Sequence, residues 1–367
     1  MVLKYLTLWP LSVLYGLGVS VRNRLFNLGI LESHEFDIPI ICVGNITVGG
    51  TGKTPHTEAL INVLKNDYRV ACLSRGYKRK TSGFVLATET STASEIGDEP
   101  MQIKNKFPDI TVAVDANRVR GIKKLMQLPE KPDVIVLDDG FQHRYVKADI
   151  NILLIDYNRP IYEDHLLPLG RLREKASAKD RANYVIVTKC PPNISPIEKR
   201  IILKHLNLMA YQQLLFTTMK YGDITPLDKT SRCSITPDSA ILCVTGIAQP
   251  APYIEYLEKL TKQIHQIAFP DHHNYRDGDI HRIIQEYDKI SNPNKYIFTT
   301  EKDAVRLALS NIPDEIRQRI FYVPIEPEFL TSQDQLIKNI YKRWKNRFPG
   351  IMSDCTGRSS PMISNWV

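Results

Sequence analysis

The chain has 367 residues, long enough for two domains, and its 48 lysines and arginines against 40 aspartates and glutamates leave a net charge of +8. Six cysteines (Cys42, Cys72, Cys190, Cys233, Cys243, Cys355) are scattered without a C-x-x-C pair, which argues against a zinc module or disulfide framework and for a reducing compartment. The surplus of positive charge favours an anionic partner (nucleic acid, an anionic membrane face or a phosphorylated substrate), with a generally basic surface as an equal alternative.

Residues 5–21 are uncharged and mostly apolar, with Lys4 before them and Arg22 and Arg24 after. Pro10, Gly16 and Gly18 interrupt a stretch already short for a spanning helix, which needs ~20 residues. No A-x-A-like cleavage site follows, so a signal peptide fits less well. A helix lying in the membrane interface, anchored by Trp9 and Tyr15, fits best, and a buried N-terminal helix is the alternative.

The rest of the chain is organised around residues 39–54, PIICVGNITVGGTGKT. A short apolar run, 40–43, is expected to be a strand. The glycine turn Gly49, Gly50, Thr51, Gly52 follows, then Lys53 and Thr54, and then a helical pattern with Ala59, Leu60, Val63 and Leu64 on one face. Strand, glycine loop, Lys-Thr and helix is the arrangement that cradles nucleotide phosphates. Backbone N–H groups and the helix N-terminus face the anion, the lysine reaches the β/γ oxygens and the threonine holds Mg²⁺. One departure from G-x-x-x-x-G-K-[ST] is present: Thr47 stands where the first glycine would be.

Further apolar runs are read as strands at 70–74, 110–114, 134–137, 150–155, 184–188, 240–245 and 296–299, with helices at 99–106 and 118–126 between them. Strands this apolar are buried on both faces, the mark of a mostly parallel sheet covered by helices, and ligands of such sheets bind beyond the strands' carboxyl ends. From about residue 191 the texture becomes polar and loop-rich. The expected division is an N-terminal helix over 1–35, a P-loop core over 36–215, a second smaller α/β lobe with the C-terminal helix over 216–348, and a disordered tail over 349–367. No internal repeat is evident.

Four groups carry candidate chemistry. The strand at 134–137 ends in Asp138 and Asp139, the usual second half of an Mg-ATP site, and Gln142 and His143 follow where they would sit beside the γ-phosphate. Gly97-Asp98-Glu99-Pro100 opens a helix, and Asp98 reads either as its N-cap or as the base for a substrate hydroxyl. Phe269-Pro270-Asp271-His272-His273 has adjacent histidines but no spaced third metal ligand. Arg75, Arg118, Arg171 and Arg173 follow strands or lie in loops, where a guanidinium can grip phosphate oxygens.

Together the segments VGNITVGGTGKTP (43–55), SRGY (74–77), GDEP (97–100), DDGFQH (138–143), LPLGRLRE (167–174), the Asp-His pair at 271–272 and TEKDAV (300–305) resemble one family, the tetraacyldisaccharide 4'-kinases of Gram-negative lipid A biosynthesis. That family's loop also lacks the first glycine. The resemblance implies a two-lobed P-loop NTPase-like fold with an N-terminal membrane-docking helix. It implies transfer of the ATP γ-phosphate to the 4'-hydroxyl of tetraacyldisaccharide 1-phosphate, giving lipid IVA, with ATP and Mg²⁺ as cofactors. The implied setting is the cytoplasmic face of the inner membrane, on its anionic leaflet, peripheral or monotopic, with no nucleic acid and no obligate protein partner. Carried over residue by residue, Asp98 is the base, oriented by His272. Gly49 to Thr54 bind nucleotide, and Thr54, Asp138 and Asp139 the metal. Arg75, Arg118, Gln142, His143 and Arg171 are left for substrate or phosphate.

The competing reading is a P-loop switch that binds GTP and a protein partner: Thr300-Glu301-Lys302-Asp303 superficially resembles a guanine-reading N-K-x-D, but with Lys302 and Asp303 adjacent the carboxylate would point elsewhere. A third is a membrane-bound scaffold with a decayed nucleotide site, against which Lys53, Thr54, Asp98 and Asp138 all stand intact.

Overall fold

Two mostly parallel sheets organise the described residues. The computed structural model describes residues 2–271, 273–330 and 333–348. Among these, one compact unit comprises the residues up to Met219 and those from Pro327 to Phe348, and a second comprises Lys220–Glu326.

In the first unit the strands are β1 (Ile40–Gly44), β2 (Val70–Ser74), β3 (Val85–Leu86), β4 (Thr111–Val114), β5 (Val134–Asp138), β6 (Ile150–Asp156), β7 (Tyr184–Thr188) and β8 (Gln213–Tyr221). With β14 (Ile325–Phe329) they form one nine-stranded sheet in the order β14-β8-β7-β6-β1-β5-β2-β4-β3. The pairs from β8 through β4 are parallel, and β3 pairs antiparallel with β4. Every residue of β1, β2, β5 and β7 is buried, as continuous apolar runs require of strands covered on both faces.

The helices of this unit are α1 (Val2–Asn27), α2 (Lys53–Leu64), α3 (Ala93–Ile96), α4 (Asp98–Lys106), α5 (Arg118–Leu125), α6 (Pro196–Leu206) and α11 (Gln333–Arg347). Local sequence sets their starts. The Asn117 side chain accepts from Arg120 N–H at the head of α5, and Ser195 and Glu198 form a reciprocal capping box at the head of α6. The buried Glu58 of α2 accepts from Gln102 Nε2 and Lys106 Nζ of α4, both at 2.8 Å, and so braces the two helices together.

The expectation that the C-terminal helix belongs to the second lobe is overturned. Trp344 of α11 is buried with its ring edge-on to Tyr68 of the first unit at 5.7 Å, and Tyr341 donates to Asp67 at 3.0 Å. Burying an indole far outweighs chain proximity in deciding where a helix docks. The tail expected at 349–367 lies outside the described residues.

The second unit holds β9 (Thr225–Pro226), β10 (Ala240–Thr245), β11 (Gln263–Ala268), β12 (Lys295–Thr300) and β13 (Ile320–Val323), ordered β11-β10-β12-β13-β9 and parallel except at β9. Alternate residues of β10 feed two cores. Ala240, Leu242 and Val244 meet Ile280, Ile283 and Tyr287 of α8 (Asp277–Asp288). Ile241 and Cys243 meet Tyr253 and Leu257 of α7 (Ala251–Leu257). The remaining helices are α9 (Glu301–Leu307) and α10 (Asp314–Arg317).

Candidate active site

The site lies at the carboxyl ends of the first unit's parallel strands. β1 runs between β5 and β6, with Val43 opposite Asp138 in register, so the chain leaving β1 turns into residues 45–52 directly beside the aspartate that ends β5. Gly52 precedes α2 in the left-handed conformation (φ 80°, ψ 29°), which glycine adopts at no steric cost. A Cβ added at Gly50 would meet no described residue within 4 Å, so among those residues the loop is open on that side.

Two carbonyls of the loop are held from behind by the end of β7. Thr188 Oγ1 donates to Thr51 O at 2.9 Å, and Lys189 Nζ donates to Gly50 O while pairing with Asp156 at 2.8 Å. The earlier half of the loop is covered by the LPLGRLRE segment. Arg173 N donates to Ile46 O at 2.7 Å, and Val48 N donates to Arg171 O at 2.8 Å. Helix α1 lies against the same segment, with Ser12 donating to Leu166 O at 2.7 Å and Tyr15 to Arg173 O at 2.9 Å.

The acidic pair divides into two environments. Asp138 is buried, accepting from Thr57 at 3.0 Å and Ser74 at 3.3 Å. Burial, then the charges of Glu99 and Asp139, push its carboxyl up to about 7 against the pull of Lys53. Burial also works against the Asp139 carboxylate, but Lys53 and Arg173 outweigh it and hold Asp139 below its ordinary value. Lys53 Nζ lies 4.0 Å from Asp139 Oδ2, and Arg173 lies 3.0 Å from Asp139 Oδ1. Asp139 adopts φ 46°, sparsely populated for a non-glycine residue, and such outliers gather at functional sites.

Asp98 is the first residue of α4, half-buried, and the cap position belongs to Gly97. Asp98 is therefore not the helix cap. Gly97 (φ 94°) lies against Gly76, and a Cβ on Gly97 would come within 3.2 Å of the Gly76 Cα. This close approach of two backbones brings the SRGY turn after β2 and the start of α4 together, and Glu99 near enough to act on Asp138.

The remaining predicted residues differ in what they have available. Arg118 is buried. Burial lowers its affinity for a proton and Asp138 and Asp139 offset this only in part; its Nη1 donates to Asp115 O at 3.1 Å, and its buried Nε has no hydrogen-bond partner among the described residues. Arg75 is exposed at the end of β2 and acts electrostatically on Arg118 and His143. His143 is held down to about 4 by burial, then by Arg118, Arg22 and Arg75, so its ring is neutral near neutral pH and supplies no positive charge to a phosphate. The Gln142 amide donates to Asn45 O at 2.6 Å, bracing the loop. The Arg171 side chain is exposed, and its backbone pairs with the loop. Lys189, Thr188 and Arg22 also reach the site, and no loop motif marks them because each comes from a distant element.

In the second unit, His273 is engaged locally, 2.9 Å from Asp279 and stacked on Phe269 at 4.6 Å. His272 lies outside the described residues. Asp303 is buried, accepting from Thr300 at 2.7 Å, Gly246 N at 2.9 Å and Arg306 at 3.2 Å. A carboxylate so occupied does not read guanine, which removes the basis of the GTP-switch reading.

A glycine loop with its carbonyls tied back, beside a strand ending in paired aspartates, defines the class: a P-loop phosphotransferase. The sequence model described as LpxK, tetraacyldisaccharide-1-P 4'-kinase, matches residues 4–345. The tetraacyldisaccharide 4'-kinase of Phocaeicola vulgatus is 51% identical over 339 residues, covering 90% of this chain and 93% of that protein. The tetraacyldisaccharide 4'-kinase of Flavobacterium johnsoniae is 48% identical over 328 residues, covering 89% and 93%. The crystal structure of the "apo" form LpxK from Aquifex aeolicus in complex with ATP superposes with a TM-score of 0.71 at 27% identity, covering 91% of this chain and 97% of that one. The chain belongs to the tetraacyldisaccharide-1-P 4'-kinase family and is an ATP-dependent kinase of lipid A biosynthesis.

Proposed function

We propose that residues 49–54 bind the ATP phosphates and that Asp98 accepts the proton of the 4'-hydroxyl of tetraacyldisaccharide 1-phosphate as the γ-phosphate moves to it, giving lipid IVA. The observation that carries this is the phosphate loop held against β5, with Lys53 and Asp139 4.0 Å apart at their meeting point. Phosphoryl transfer needs charge neutralisation and an in-line hydroxyl more than covalent help. Lys53 neutralises phosphate charge. Arg75 and Arg171, both exposed, hold substrate phosphate, and Arg118 adds positive charge from below.

The donor set fits Mg²⁺. Among the described residues no group of three His, Cys, Asp or Glu could hold a metal alone, and Mg²⁺ characteristically takes one or two carboxylates and completes its shell with water and phosphate oxygens. Asp138, which forms no salt bridge among the described residues, and Thr54 would hold the ion, with Asp139 beside them. When bound, the ion supplies charge neutralisation between the β- and γ-phosphates. In this reading His272 orients Asp98, as the family pattern implies.

We place the enzyme on the cytoplasmic face of the inner membrane. No described helix is long and apolar enough to cross a membrane, yet α1 exposes Trp9, Leu11, Leu14, Leu17 and Val21. An exposed apolar face on a basic-flanked helix suits a membrane interface, where the acyl chains of the substrate reside. The test is transfer of labelled γ-phosphate to tetraacyldisaccharide 1-phosphate in micelles, with Lys53→Ala and Asp98→Ala beside the wild type.

A further inference from the structure

His56 stands on the first turn of α2, four residues after Gly52, and is buried. Both ring nitrogens are engaged: Nδ1 lies 2.7 Å from Gly52 O, and Nε2 lies 3.0 Å from Thr217 Oγ1 of β8. A carbonyl oxygen only accepts, so Nδ1 carries the proton. Burial holds the imidazole down to about 4, so near neutral pH Nε2 is unprotonated and accepts from the Thr217 hydroxyl. The tautomer is thereby set by the two partners.

Gly52 O also accepts the His56 backbone N–H at 3.2 Å. Across a trans peptide the N–H points opposite to the carbonyl, so a Gly52 carbonyl drawn toward His56 directs the Lys53 N–H away from the imidazole. Gly52 has no side chain to restrict it and sits in the left-handed region, so its own backbone preferences do not fix this peptide. The imidazole also packs against it: a Cβ on Gly52 would meet His56 Nδ1 at 3.4 Å. With Lys189 on Gly50 and Thr188 on Thr51, His56 completes a row of three successive loop carbonyls held by side chains.

We propose that His56, held in place by Thr217, is a positioning residue that fixes the Gly52–Lys53 peptide for the ATP phosphates. This rests on the loop being the nucleotide site. It predicts that two amide replacements behave differently. The Asn amide nitrogen falls near the place of Nδ1 and keeps the bond to Gly52 O, whereas the Gln amide nitrogen falls near Nε2 and loses it.

The experiment measures KM for ATP, KM for the lipid acceptor, kcat and thermal midpoint on the full chain in micelles for His56→Asn, His56→Gln, Thr217→Val, Thr217→Ser and Lys53→Ala. Loss of one buried hydrogen bond predicts that His56→Gln and Thr217→Val raise the ATP KM about five- to tenfold, with the lipid KM within about twofold of wild type. Thr217→Ser should stay within about threefold for ATP, and His56→Asn, which keeps the bond to Gly52 O but gives up the one to Thr217, should raise the ATP KM less than His56→Gln. An unchanged ATP KM in His56→Gln overturns the inference. So does an equal rise in both substrates' KM that tracks the thermal midpoint, which is what a merely structural histidine gives. An unchanged ATP KM in Lys53→Ala would remove the nucleotide site itself, and this inference with it.

Discussion

The Arg173 guanidinium lies 3.0 Å from the Asp139 carboxylate and 3.2 Å from Asn45 O, so one side chain joins the acidic end of β5 to the start of the phosphate loop. Asp139 stays ionised against burial because Lys53 and Arg173 face it. Arg173→Ala should lower kcat roughly ten- to a hundredfold, the usual effect of removing a group that orients a site ligand. The acidic limb of the pH–rate profile should move to higher pH, since Asp139 then binds its proton more readily. An unchanged profile would show that Asp139 does not need Arg173.

Asp138 gives the nucleotide-free protein a defined pH dependence. Its carboxyl titrates at about 7 in the fold against 3.8 as a free side chain, so between those values the folded state binds the proton more tightly. Its contribution to stability is full below the lower value and is lost as pH rises through the upper one. Asp138→Asn should therefore raise the thermal midpoint relative to wild type at pH 8, with the gap closing toward pH 4, while abolishing transfer. A gap independent of pH would contradict this origin.

Trp344 ties α11 to the first unit. Trp344→Ala should cost about 3–5 kcal/mol, as large aromatic truncations in cores do. Hydrogen exchange should rise in α11 and around Tyr68 while β10 and β12 of the second unit stay protected. Faster exchange in the second unit instead would reassign the helix.

The apolar face of α1 is the proposed membrane contact. Leu14→Glu with Leu17→Glu should cut binding to anionic vesicles about tenfold or more while the ATP KM is retained. Undiminished vesicle binding would move the contact elsewhere.

The strands buried on both faces were legible in the sequence. Val70–Ser74, Tyr184–Thr188 and Ala240–Thr245 have the same bounds in both, because an apolar run bounded by turns has one stable place in a parallel sheet. The strand Gln263–Ala268 was not legible, because at a sheet edge only Ile267 is fully buried and the rest is polar or partly exposed. The division placed near 215 falls inside β8, which continues to Tyr221. The phosphate loop and acidic pair were read from local spacing. The groups that tension the loop were not: His56 gains its meaning from Thr217, 161 residues away, and no local pattern records such a pairing.

The most direct test is transfer of labelled γ-phosphate from ATP to tetraacyldisaccharide 1-phosphate by wild type, Lys53→Ala and Asp98→Ala. The wild type should yield a doubly phosphorylated lipid, lost or nearly lost in both variants, with Asp98→Ala still binding ATP. Full transfer by Asp98→Ala would contradict the assignment of the base, and ATP hydrolysis by wild type without labelled lipid would contradict the reaction itself.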